Sequence, residues 1–388
     1  MNFFFYSFQN DIWRIYNVLI SILGAAGLRN MVSKKELAYL YAVLSAALFG
    51  GCAPVGKYML GSIEPVILAG LFYLGSGFGL LIYILLQSHK KESRNKTEAS
   101  LQKSDLPWLI GVVTFGGFLA PVILMYSLVI TPAATASLLL NFEAVATSVI
   151  AFFIFREAVG RQIWTGLLLI TISCIILTFD PSENSGFSPG AIGILVACLF
   201  WALDNNFSRN ISGKDPVPIV CIKGIAAGLL SVIFGIITGQ QLPALSVSLL
   251  AMLIGFLSYG GLTSVLFLLS LREIGTSRTG SLLAVSPFFG VVISFALFNN
   301  PPETVFYISF PLMAAGVILL IFEKHSHQHS HKRQTHEHRH SHDIHHNHSH
   351  DATSLPLSET CEHSHIHSHE ELTHDHPHTP DIHHRHEH

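Results

Sequence analysis

The sequence predicts an all-α membrane protein: ten transmembrane helices arranged as two inverted five-helix repeats, followed by a disordered His-rich cytoplasmic tail. Three observations predict it. Apolar runs recur along the chain from Leu37 onward, related segments return about 144–151 positions later, and basic residues collect in every second connection.

The apolar runs come first. Half of the 388 residues are hydrophobic and 12% are charged, against about 25% charged in a soluble domain. Mean hydropathy is +0.47. Spans are predicted near 37–56, 65–86, 107–128, 133–155, 162–179, 189–207, 217–238, 246–269, 277–298 and 303–322. Each is roughly 18–24 residues, the length that a hydrocarbon core of about 30 Å requires of a helix. With no water to satisfy backbone groups, such runs must be helical, and the alternating pattern of a membrane barrel is absent.

The repeat is read from matched segments. Ser137-Leu138-Leu139, inside the run Thr131–Glu157, returns as Ser281-Leu282-Leu283 inside Gly275–Phe298. Leu48-Phe49 answers Leu199-Phe200, and Glu64-Pro65-Val66 answers Asp215-Pro216-Val217. Residues 36–180 and 188–324 are thus the two repeats, with 1–35 an N-terminal extension and 325–388 the tail. Five is odd, so the halves insert with opposite orientation. Inverted repeats of this kind place a shared site between the halves, near the membrane midplane.

Orientation follows from charge. Arg29, Lys34 and Lys35 precede the first span; Lys90, Lys91, Arg94, Lys96 and Lys103 fill the second connection. Arg156 and Arg161, Arg209 and Lys214, Arg272 and Arg278 mark the fourth, sixth and eighth, and Lys324 follows the last span. The other connections hold at most Lys57. The positive-inside rule places both termini in the cytoplasm, for a protein of the plasma or inner membrane. The opening MNFFFYSFQNDIW lacks the basic start of a secretory signal. It either lies flat on the membrane or precedes a true start at Met31, whose MVSKKEL leads into the first span; the second reading is favoured.

These residues resemble the drug/metabolite transporter superfamily, in its ten-helix EamA-type branch, over about residues 36–323. The resemblance rests on Tyr126-Ser-Leu-x-x-Thr-Pro-Ala-x-x-Ala-Ser-Leu-Leu, on Arg156-Glu157 closing the fourth span, and on Ser281-Leu282-Leu283 with Ser286-Pro287. It implies alternating-access transport of small metabolites or drugs, and export rather than uptake. Two departures stand out. Glu143 stands where the family usually has proline, and Asn299-Asn300-Pro301-Pro302-Glu303 replaces the expected closing motif of the ninth span.

Polar groups within apolar runs are costly, so each needs a role. Glu143 is near the middle of the fourth span with Asn141 beside it: either a carboxylate that exchanges a proton or contacts a cation, or a hydrogen-bonded group that tightens packing. Asp204 and Asn205, after Trp201 in the sixth span, lie within reach of Lys223 in the seventh; an Asp204–Lys223 pair is either a gate or a staple. Tyr126 and Ser286 complete the candidate substrate or coupling set. Lys57 either faces a mouth of the pathway or snorkels to the interface. The glycine-rich runs Gly70–Gly79 and Gly255–Gly261 suit close helix packing. No enzyme constellation and no phosphate-binding loop is present, and no basic excess points to nucleic acid. Transport needs no cofactor on this reading; its partners are the bilayer, a small-molecule substrate and metal ions.

Metal enters through the tail. Of 24 histidines, 23 fall in residues 325–388, mostly alternating: His325, His327, His329 and His331; His338, His340 and His342; His345, His346, His348 and His350; His363, His365, His367 and His369; His374, His376 and His378. Such a polar segment buries too little surface to fold. Imidazoles at this density bind Zn, Ni, Co or Cu as divalent ions without requiring one unique ligand set. Three functions remain open: a metabolite carrier with a metal-buffering tail, a divalent-metal efflux protein whose tail gathers its cargo, and a membrane-anchored metal store. Cys52, Cys174, Cys198, Cys221 and Cys361 form no C-x-x-C, and the first four lie in apolar runs as packing residues.

Overall fold

The computed structural model describes residues 34–89, 101–155, 160–180, 183, 186–211, 214–274, 276–298, 302, 304–322, 326–331, 334–340, 363–369 and 372–377. Among these, nine helical segments are long and apolar enough to cross a membrane. The first span is α1 (Lys34–Gly50) and α2 (Cys52–Met59); the second is α3 (Pro65–His89). The third comprises α4 (Leu106–Gly111), a π-helical stretch Val112–Leu119, and α5 (Ala120–Ile130). The fourth is α6 (Ala133–Leu139) and α7 (Phe142–Phe155), and the fifth is α8 (Arg161–Thr178). In the second half, α9 (Pro189–Arg209) and α10 (Pro216–Ile237) are the sixth and seventh spans. They are followed by α11 (Leu245–Ser258) with α12 (Leu262–Ile274), α13 (Thr276–Leu283) with α14 (Ser286–Leu297), and α15 (Thr304–Ile321).

The stretch 277–298, expected as one continuous ninth span, is corrected here. It breaks at Ala284-Val285, and only Ser286–Leu297 remains as a shorter apolar helix. Pro287 supplies the reason: at the first turn of α14 its missing N–H costs nothing, whereas inside a continuous helix it would remove a bond and clash with the preceding turn. The fourth span breaks at the matching place. Leu139 and Phe142, on either side of its break, lie 144 positions before Leu283 and Ser286. There Glu143 occupies the first turn of α7, the position that Pro287 holds in α14.

The principal helix contacts follow a pattern. The second span packs on the seventh, the fourth on the ninth, and the fifth on the tenth. The third packs on the sixth and the first on the eighth; the second meets the eighth, and the third meets the seventh. The sixth meets the fourth, and the first meets the ninth. Exchanging each span with the one five places away returns these pairs, whereas the contact of the second span with the third has no comparable counterpart between the seventh and eighth among the described residues.

Glycine makes the closest of these contacts. A Cβ at Gly75 would collide with the backbone of Met252, and one at Gly255 with the backbone of Phe72, so α3 and α11 touch main chain to main chain. Gly77 and Gly224 stand in the same relation between α3 and α10. Lipid provides no hydrophobic drive between helices, so this close approach supplies the dispersion contact that holds them.

Backbone groups released at the break in the eighth span find partners. Thr263 Oγ1 donates to Leu257 O at 2.8 Å and Ser258 O at 3.2 Å, and Cys52 Sγ donates to Ser258 O at 3.4 Å. Ser45 Oγ donates to Thr263 O at 3.0 Å. Non-helical backbone at this depth is tolerable only with such partners.

In the tail, four short segments depart from the expected lack of regular structure. Strands β1 (Ser326–His331) and β4 (Leu372–Pro377) pair antiparallel, as do β2 (Gln334–His340) and β3 (His363–His369). A His-x-His alternation has the two-residue period of a strand, which gives the pairing a local cause. Residues 1–33 and the rest of the tail lie outside the described residues, and with them the question of where the chain starts.

Candidate functional site

A cavity of about 660 Å³ lies between helices of both halves. The interrupted helices border it: Gly50, Leu140, Asn141, Gly260, Ala284 and Ser286, at or beside the breaks in the first, fourth, eighth and ninth spans, all line its wall. Each break turns backbone and small side chains, instead of a full helical face, toward the space.

Two polar pairs sit in the wall. In α9, Trp201, Asp204 and Asn205 fall on one face by their three- and four-residue spacing. Lys223 Nζ, on the neighbouring α10, donates to Asp204 Oδ2 at 2.5 Å. Asp204 is buried at 5% exposure, and the Lys223 side chain is 18% exposed, so little water screens this pair. Ser208 Oγ, one turn on, adds a long contact of 3.4 Å to Asp204 Oδ1. The pairing expected from the sequence is therefore present.

Across the cavity wall, Asn205 Nδ2 donates to Glu143 Oε1 at 2.7 Å and to Thr147 Oγ1 at 3.2 Å. Glu143 and Thr147 are one turn apart on α7, so a single amide bridges both. Asn141 lines the cavity with its Nδ2 held by Leu138 O at 3.3 Å, and Ser286, 3% exposed, lines it from the first turn of α14. Asn206 points elsewhere, donating to Ala202 O at 2.7 Å and Thr147 O at 3.4 Å, and staples α9 to α7.

The π-helical stretch positions the aromatic part of the wall. Gly116 O accepts from both Tyr73 Oη at 2.8 Å and Trp201 Nε1 at 3.1 Å. A side chain at Gly116 would run into the Asp204 carboxylate, so glycine here lets the third span sit against the ion pair. Tyr259 Oη donates to Cys52 O at 3.1 Å, while its ring stacks on Phe72 at 4.4 Å.

Of the residues singled out from the sequence, Asn141, Glu143, Trp201, Asp204, Asn205, Lys223 and Ser286 meet at this one cavity. Tyr126 does not. Its ring is 49% exposed, and its hydroxyl accepts from Gln240 Nε2 at 3.0 Å, away from the cavity wall. Gln240 also accepts from Val66 N and Ile67 N, at 3.0 and 3.2 Å, capping α3. Lys57 likewise has a structural partner: its Nζ donates to Leu128 O at 2.7 Å, where it satisfies a carbonyl at the end of α5. Sequence reading missed Tyr73, Thr147 and Tyr259. The one available signal was that both tyrosines sit within the glycine-rich runs. The side chains of the tail histidines lie outside the described residues. Among those described, no group of three or more His, Cys, Asp or Glu could hold a metal ion.

Interrupted membrane helices around a largely apolar cavity that carries a few charged and amide groups define a multi-pass membrane protein built to admit a solute. The profile of the EamA-like transporter family matches residues 36–179 and 188–322, and the chain belongs to that family. It is 28% identical over 301 residues to an uncharacterized transporter of Methanothermobacter thermautotrophicus, covering 73% of this chain and 85% of that one. It is 22% identical over 272 residues to the uncharacterized inner membrane transporter YedA of Escherichia coli K12, covering 68% and 84%. A protein of known crystal structure superposes with a TM-score of 0.52 at 17% identity, over 73% of this chain and 94% of that one, which supports the fold. The protein is a membrane transporter of small molecules.

Proposed function

We propose that the protein is a gradient-driven secondary transporter that exports small organic metabolites or drugs by alternating access. Its two five-helix repeats would be threaded in opposite senses with both termini cytoplasmic. The observation that carries this reading is the shared cavity, with Glu143–Asn205 and Asp204–Lys223 in one wall. At about 660 Å³ it falls within the roughly 300–1,000 Å³ typical of small-molecule sites. The exchange symmetry of the helix contacts, and the matched breaks in the fourth and ninth spans, support two related halves that rock about that space. Glu143 is the coupling carboxylate on this reading, and the Asp204–Lys223 pair is the gate.

The tail, on the same reading, is a cytoplasmic buffer or sensor for a divalent transition metal, supported by the density of imidazoles in residues 325–388. Among the described residues the cavity wall has no histidine, and its cysteine, Cys52, is committed to Ser258 O; that favours an organic cargo over a metal one. The test is flux into proteoliposomes carrying the full chain, with an organic solute panel beside Zn²⁺, Ni²⁺ and Co²⁺. Saturable flux of an organic solute with no metal flux supports the proposal. Metal flux alone would replace it with the efflux reading in which the tail gathers the cargo.

A further inference from the structure

We infer that the cavity selects organic cations: amphipathic molecules carrying one ammonium group on an apolar or aromatic body. This rests on the transporter reading above and adds the substrate class to it.

Charge and hydrogen-bond donors in the wall set this preference. Among the described residues, three charged side chains line the cavity: Glu143, Asp204 and Lys223. Lys223 is committed to Asp204 at 2.5 Å, so those two cancel. Among the described residues, the Glu143 carboxylate is held by a neutral amide donor, Asn205 Nδ2 at 2.7 Å, which orients it without neutralising it. With Glu143 ionised, the wall carries one negative charge in excess. In a space of low effective dielectric, that charge attracts a cation and repels an anion far more strongly than it would in water.

The aromatic groups lean the same way. The donors of Tyr73 and Trp201 are both spent on Gly116 O, and that of Tyr259 on Cys52 O, so the donors that remain for an anion are chiefly neutral hydroxyls such as those of Ser148 and Ser264. What these side chains still offer a solute is ring surface, whose negative face favours ammonium over carboxylate. Among the described residues, one carboxylate without a cationic partner, no unpaired cation and aromatic side chains with committed donors together describe a cation site.

The test uses the full-length protein purified in detergent and three probes matched in size: benzyltrimethylammonium, 2-phenylethanol and 3-phenylpropionate. Binding is read by equilibrium dialysis, and flux of the same three in proteoliposomes. The expected order is cation over neutral over anion, with 3-phenylpropionate unable to compete with the cation. Glu143→Gln should shrink the advantage of the cation over 2-phenylethanol by about tenfold or more. An anion preference, no cation binding at millimolar concentration, or an unchanged cation advantage in a monodisperse Glu143→Gln protein would overturn the inference. Should that variant aggregate, the ranking by the unaltered protein still decides. The two claims fail separately. Saturable flux of 3-phenylpropionate alone sinks the cation inference and leaves the transporter reading standing. Selective cation binding without flux sinks transport and leaves the charge preference.

Discussion

Replacing Lys223 with Met leaves the Asp204 carboxylate buried at 5% exposure, with only the 3.4 Å contact from Ser208 as partner. Met fills a similar volume, so packing changes little and the loss is electrostatic. Breaking a buried pair from one side costs about 3–5 kcal/mol, because the remaining charge keeps its desolvation penalty and loses its compensation. Asp204→Asn costs less, since Lys223 is 18% exposed along its side chain and borders the cavity, where it can be solvated. The double variant Asp204→Asn/Lys223→Met removes both charges and should lie within about 2 kcal/mol of the original protein. A thermal-unfolding series in one detergent, read by monodisperse fraction after heating, completes the double-mutant cycle. The expected coupling is at least about 2 kcal/mol in favour of the pair. Additive single effects, or a Lys223→Met protein as stable as the original, would refute the claim that this buried pair is mutually compensated.

Gly255→Val should abolish correct packing of α11 on α3, since its Cβ would strike the main chain of Phe72; the readout is loss of the monodisperse peak on size exclusion. Tyr259→Phe keeps the stack on Phe72 and removes the donor to Cys52 O, costing about 1 kcal/mol of stability in the same heating assay. Glu143→Gln should insert normally and lose pH-driven flux; undiminished flux would reduce Glu143 to a packing residue. Truncation after residue 324 should remove Ni²⁺ or Zn²⁺ binding in equilibrium dialysis while solute flux persists, and loss of flux alongside the metal would tie the tail to transport itself.

Much of the helical architecture was legible because the bilayer imposes a length on every helix. The cavity was half legible. Glu143, Asp204, Asn205 and Lys223 stood out because a charge or amide in an apolar run demands a partner, and the structure shows that they partner one another. Tyr126 stood out by motif alone, and the structure turns it toward Gln240, 114 positions away. Such pairings depend on how the halves dock, which no local pattern records. The same holds for Tyr259 and Cys52, 207 positions apart, and for Ser45 and Thr263, 218 apart. The ninth-span break had a visible cause in Pro287. The break at Leu140-Asn141 had no proline to announce it.

Thiol accessibility at Thr147, which lines the cavity beside the Glu143–Asn205 bridge, reports whether a single cavity opens to each side of the membrane in turn. In a background lacking the five native cysteines, Thr147→Cys is exposed in proteoliposomes to a membrane-impermeant maleimide applied from one side or the other. Labelling is expected from both sides, slowed by a transported solute, with flux blocked once the thiol is modified. Labelling from neither side, or complete modification with flux intact, would contradict it.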